Sequence, residues 1–214
     1  VAVSVSAIVI VPAGLAPADF TAPIAGEPAL VRAVRAVRDV APAHVVAAEE
    51  AVGAATDCLA AHGLSNVRVI TAPIGQLWHE IGENACDKWP LGVGDGVLLH
   101  DVRYPLAPAD LAARVAEGLA DHDVVIPVLP MTDSVKRVAA QDIVLGNVDR
   151  SELVTAQYPR AFSATALARL PQTDDLAALT SAGLRVGTVE GDPNAFAVDL
   201  AQDRGLLEAI VTAG

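Results

Sequence analysis

Short runs of Val, Ile and Leu at residues 6–11, 45–47, 67–71, 96–100 and 124–128 alternate with stretches of helical periodicity, and this alternation constrains the fold more than any other feature. Strands that are apolar on both faces belong to a parallel sheet covered by helices on both sides. The spacing predicts helices at 28–40, 51–62, 110–119, 164–170, 174–181 and 203–211, a last strand at 185–189, and Gly63 closing the second helix. Strand, helix, strand repeats of this kind imply right-handed crossovers, and so an α/β, three-layer, Rossmann-like architecture. With 214 residues, 53% of them hydrophobic, the chain can bury one full core. No linker, repeat or low-complexity tract divides it, so a single domain spanning 1–214 is expected.

Between Thr132 and Tyr158 the helical pattern fails. Short apolar groups such as Ile143-Val144-Leu145 alternate with polar turns, which reads as a hairpin arm projecting from the sheet. An isolated hairpin is marginal in water, so this arm needs a partner surface. The formal net charge of -12 argues against a nucleic-acid partner, because backbone binding requires Lys and Arg to displace counterions. No apolar run reaches membrane-span length. Cys58 and Cys86 give neither a disulfide framework nor zinc spacing and read as reduced, buried thiols. The opening VAVSVSAIVIVPAGLA lacks the basic start of a signal peptide and suits a first strand, so a soluble cytoplasmic protein is expected.

Several residues are placed for chemistry. Asp101 follows the strand at 96–100, at the sheet edge where open parallel sheets bind ligands, and it is equally suited to capping the turn there. Arg32, Arg35 and Arg38 form one helix stripe, either an anion site or a solvated face. Trp78, His79 and Trp89 would stack a planar ligand or fill space between helix and sheet.

The segment 127–162, PVLPMTDSVKRVAAQDIVLGNVDRSELVTAQYPRAF, together with His100-Asp101 upstream and VEGDP at 189–193, resembles the methylerythritol phosphate cytidylyltransferases. That family joins CTP to methylerythritol phosphate and releases pyrophosphate. The resemblance implies a nucleotidyltransferase fold with a projecting β-arm, a homodimer made through the arm at about 132–158, CTP and a phosphosugar as ligands, and Mg2+ if the protein is active. It also implies roles. Arg150 in VDRSEL aligns with the arginine that positions the phosphosugar from the partner subunit, and Ser134 keeps a hydroxyl where the family has Thr. Asp101 matches the Asp of the family's HDAARP, whereas Arg103 stands one place early and Tyr104 occupies the Arg position. Tyr158 replaces the Thr of a TPQ motif. Pro12, Ala13 and Gly14 correspond to the nucleotide loop, and Ala197 stands where the family carries a Lys after Phe.

The departures share one sign. The family's first loop carries an Arg and a Pro-Lys pair, yet the present chain has no basic residue before Arg32, and its loop contains Asp19 and Glu27. Cytidylyl transfer is catalysed mainly by positioning and charge neutralisation, so missing cations bear directly on rate. A helix N-terminus in this loop would offer only a weak anion site. The expectation is a homologue whose catalysis is impaired or lost. The alternatives are an active cytidylyltransferase with a site rebuilt on Arg103, Lys136 or Arg137, and a nucleotidyltransferase-fold binding or regulatory protein for another ligand.

Overall fold

The computed structural model describes residues 4–72, 96–167 and 176–213. Its strands are β1 (Val5–Ile10), β2 (Pro23–Ile24), β3 (Glu27–Pro28), β4 (Ala43–Ala47), β5 (Arg68–Thr71), β6 (Gly96–Asp101), β7 (Val124–Pro130), β8 (Val135–Val138), β9 (Val144–Val148), β10 (Val154–Ala156), β11 (Arg160–Ser163) and β12 (Val186–Glu190). The described helices are α1 (Pro17–Thr21), α2 (Ala29–Arg38), α3 (Glu49–Ala61), α4 (Ala109–Glu117), α5 (Ala164–Leu167), α6 (Leu176–Ser181) and α7 (Arg204–Ala213).

An eight-stranded sheet runs β5, β4, β1, β6, β11, β7, with β12 on the far edge of β7 and β10 continuing the line of β11 along β7. Its β1–β4, β1–β6, β4–β5 and β7–β12 pairings are parallel. The exceptions are β10, antiparallel to β7, and β11, which lies antiparallel between β6 and β7. No strand pattern is legible there because Arg160–Ser163 is short and follows Tyr158-Pro159 directly. Its insertion brings the YPRAF segment to the side of β6 that ends in Asp101.

Both faces are covered, which is why the strands lack alternation. Val9, Leu98 and Val125 pack with Leu30, Val34, Leu59, Leu111 and Leu207 on one face. Ile8, Leu99 and Ile126 pack with Phe162, Ala166, Leu167, Leu179 and Leu184 on the other. In α2 the buried stripe Leu30, Val31, Val34 and Val37 meets the sheet, and burying each such side chain contributes about 1.5–3 kcal/mol. β8 and β9 form a separate two-stranded sheet, whereas β10 returns to the main one. That hairpin leaves Val138, Ile143, Val144 and Leu145 exposed at 50–61%.

Candidate functional site

The parallel strands β1 and β6 end side by side, with Ile10 in register with Asp101 and the Val102 N–H donating to the Ile10 carbonyl at 3.0 Å. Pro12, Ala13 and Gly14 leave β1 at this edge, and Gly14 takes the left-handed φ of 88° that the turn requires. The chain therefore brings the nucleotide-loop residues and Asp101 to one place. The loop then enters α1, where the Asp19 carboxylate accepts from the Ala16 N–H at 2.9 Å. The expected helix N-terminus is thus already capped by the loop's own anion.

Asp101 is 2% exposed and does two jobs at once. Its Oδ1 accepts from the Arg103 backbone N–H at 2.9 Å, capping the turn. The Arg103 guanidinium also wraps it, Nε to Oδ1 at 3.0 Å and a terminal nitrogen to Oδ2 at 2.6 Å. These bonds, opposed by partial burial, push the Arg103 guanidinium further above its already high range. From position 103 the side chain folds back onto Asp101.

Around this pair lie three side chains that motif reading did not bring together. Tyr104 and Tyr158 meet at 5.2 Å between ring centroids, tilted by 53°, and the Arg160 guanidinium lies 4.3 Å from the centre of the Tyr158 ring. Burial raises the Tyr104 phenol above its usual range, with the positive charge of Arg160 pulling the other way. Beneath the edge, His100 is fully buried. Neither of its ring nitrogens makes a hydrogen bond of good geometry, although the Tyr104 backbone lies close enough to favour the charged form slightly.

Ser134 and Arg150 occupy a second location, the hairpin, where with Lys136 and Asn147 they line a cleft of about 250 Å³. Arg150 donates to the Thr132 carbonyl across the hairpin base, and Lys136 to the Asn147 side chain. A third cleft, about 480 Å³, lies between the end of β7 and the 193–196 loop, lined by Met131, Asp133, Thr155, Gln157 and Phe196 among others. Arg32 lines a cleft of about 290 Å³ with Glu27, Arg35 and Pro105, and its guanidinium is engaged there by the chain itself. It donates to the Ile24 and Glu27 carbonyls, while Arg35 pairs with the Glu27 carboxylate, so together they brace the β2–β3 turn. Trp78, His79 and Trp89 lie outside the described residues.

Gln157 carried no sequence signal because its partner is 35 residues away. At 3% exposure it clamps the loop after β12, donating from Nε2 to the Asp192 carbonyl at 2.8 Å and accepting from the Asp192 N–H at 2.9 Å. Gly191 is required beside it, since any Cβ there would collide with the Gln157 side-chain oxygen.

The chain matches the IspD family model, 2-C-methyl-D-erythritol 4-phosphate cytidylyltransferase, over residues 20–213. It belongs to that family. The cytidylyltransferase of Streptomyces avermitilis is 32% identical over 203 residues, 87% of this chain and 81% of that protein. The bifunctional enzyme IspD/IspF of Clavibacter michiganensis is 42% identical over 128 residues, 56% of this chain; the match spans only 31% of that longer protein. The crystal structure of 4-diphosphocytidyl-2C-methyl-D-erythritol synthase from Anaerococcus prevotii superposes with a TM-score of 0.76 at 19% identity, covering 99% of both chains, and so shares the fold. Within this cytidylyltransferase family frame, Asp101 with Arg103, and Ser134 with Arg150, form two separate clusters in one chain.

Proposed function

We propose that this member of the family retains the phosphosugar side of the cytidylyltransferase site and has lost most of its triphosphate side, so that cytidylyl transfer is impaired or absent. The observation that carries this reading is the first loop. From Val1 to Val31 there is no Lys or Arg, and at the start of α1 the Asp19 carboxylate sits on the Ala16 N–H. Removing a single charge-stabilising donor commonly costs ~100 to 1000-fold in rate, and cations are missing at several family positions here. In this reading Pro12, Ala13 and Gly14 offer only backbone contacts to a nucleotide. Asp101 and Arg103 face the phosphosugar, and the hairpin brings Ser134 with Arg150 to it from a partner subunit.

Magnesium, implied for an active family member, does not fit the described residues as a resident ion. Both Asp101 oxygens already accept from Arg103, and no other group of His, Cys, Asp or Glu among the described residues is arranged to hold a metal. Mg2+ would arrive on the phosphates of CTP itself.

The exposed apolar hairpin supports a single-domain protein whose 132–158 arm makes a homodimer, because Ile143, Val144 and Leu145 are left exposed among the described residues. No described helix is long and apolar enough to cross a membrane, and a cytoplasmic location is part of the same proposal. An active enzyme with a rebuilt site is the second reading, favoured by Lys136 lining the same cleft as Ser134 and Arg150. Calorimetric titration with Mg–CTP separates the two: weak or no heat supports the lost triphosphate side, and micromolar binding supports a rebuilt one.

A further inference from the structure

Lys136 and Arg150 stand apart from most of the chain's cations. The sequence sets 26 Asp and Glu against 14 Lys and Arg, and Arg35, Arg103, Arg114 and Arg185 each meet a carboxylate. Lys136 and Arg150 meet none among the described residues. Lys136 donates to the Asn147 side-chain carbonyl and Arg150 to the Thr132 backbone carbonyl, both neutral acceptors. An ammonium has three donors and a guanidinium five, so most of their capacity is left over.

The hairpin brings these donors to one cleft. Lys136 on β8 is in register with Asn147 on β9, and this cross-strand pair holds the ammonium at the cleft of about 250 Å³ that both residues line with Ser134 and Arg150. Asp149 lines it as well. Its carboxylate accepts from the Ser151 N–H at 2.9 Å, and that bond holds its pKa below the ordinary carboxylate range, so it is charged at neutral pH. Two cations against one anion leave the lining positive in a chain whose net charge is -12.

We infer that Lys136 is a ligand-binding residue, steered by Asn147, that grips a phosphate group together with Arg150. The family resemblance assigns Ser134 and Arg150 to the phosphosugar and gives Lys136 no part in it. The inference rests on the reading that the phosphosugar side persists, and it adds the second cation of that side. A phosphomonoester carries close to two negative charges above its second pKa of about 6, so a second cation matches its second charge. A charge-assisted donor to phosphate is strong enough that its loss weakens binding by about tenfold.

The test is calorimetric titration of the full chain at about pH 7.5, without CTP, using 2-C-methyl-D-erythritol 4-phosphate and, separately, inorganic phosphate. Wild type is expected to bind the phosphosugar with an affinity that falls as salt is raised. Lys136→Gln keeps a donor for Asn147 and removes the charge; it should weaken binding by about tenfold and flatten the salt dependence, whereas Lys136→Arg should retain most of the affinity. Asn147→Asp, which sets a carboxylate against the ammonium, should weaken binding although the lysine is still there. Lys88 and Lys136 are the chain's lysines, so spectra of protein labelled with 15N at lysine Nζ carry two side-chain signals, and the one missing from Lys136→Gln should shift when the phosphosugar is added. Lys136→Gln binding within about twofold of wild type, or a Lys136 signal unmoved at saturation, would overturn the inference and leave the phosphosugar reading standing. Binding of phosphate but not phosphosugar, lost in Lys136→Gln, would uphold the grip on phosphate and end that reading, and no binding of either anion would overturn both.

Discussion

At the residue scale, His100 makes the clearest claim. Burial holds its pKa down at about 4, against the partial pull of the Asp101 carboxylate and the Tyr104 backbone. A His whose folded pKa lies below its unfolded value stabilises the fold fully above about pH 6.5, and that stability drains as pH falls toward 4, because only the unfolded state takes up the proton. The shift corresponds to about 3 kcal/mol. Urea unfolding at pH 7.5 and 4.5 should show wild type losing about that much more than His100→Leu between the two conditions, and equal losses would mean the imidazole is not a buried neutral group. Gln157 makes a second claim. Gln157→Ala leaves the Asp192 N–H without its partner and its carbonyl with only the Ala195 N–H, which should cost about 1–3 kcal/mol and speed hydrogen exchange at Asp192 and its neighbours. Protection at those amides equal to wild type would contradict the clamp. Neither role was readable from the sequence: a His beside an Asp fits many environments, and the Gln157 partner is set by tertiary packing. Asp101 was readable as a turn cap because it follows an apolar strand, and the cap is what the structure shows.

At the element scale, the strands and helices followed the apolar runs closely, since a strand buried on both faces has a composition no surface segment shares. β11 escaped because four residues after a proline carry too little pattern, and α1 with the β2–β3 turn escaped because Pro17, Pro23 and Pro28 read as loop. Arg32 and Arg35, ambiguous on a helix stripe, proved to brace that turn. The β8–β9 hairpin is the element whose account is still open to test. Its exposed Ile143, Val144 and Leu145 predict that sedimentation at micromolar concentration gives twice the monomer mass, and that Val144→Glu with Leu145→Lys gives monomer without unfolding the sheet. A wild-type monomer would remove the reason for those apolar positions.

At the scale of the whole molecule, charge decides function. The fold brings Pro12, Ala13 and Gly14 to the edge where Asp101 ends β6, so the backbone of the loop proposed to meet a nucleotide is present. The cations are not, and the net charge of -12 opposes a substrate pair carrying roughly six negative charges. That deficit was plain in the sequence because it is a matter of which residue types occur before Arg32. The packing of Arg160 on Tyr158 was not, because only the antiparallel insertion of β11 sets that segment beside β6. The most direct measurement is pyrophosphate release by the purified chain with CTP, 2-C-methyl-D-erythritol 4-phosphate and Mg2+. The account predicts a rate at or near the background without protein. Turnover at ordinary enzyme rates, ~1 to 1000 per second, would contradict it and show that other residues neutralise the triphosphate.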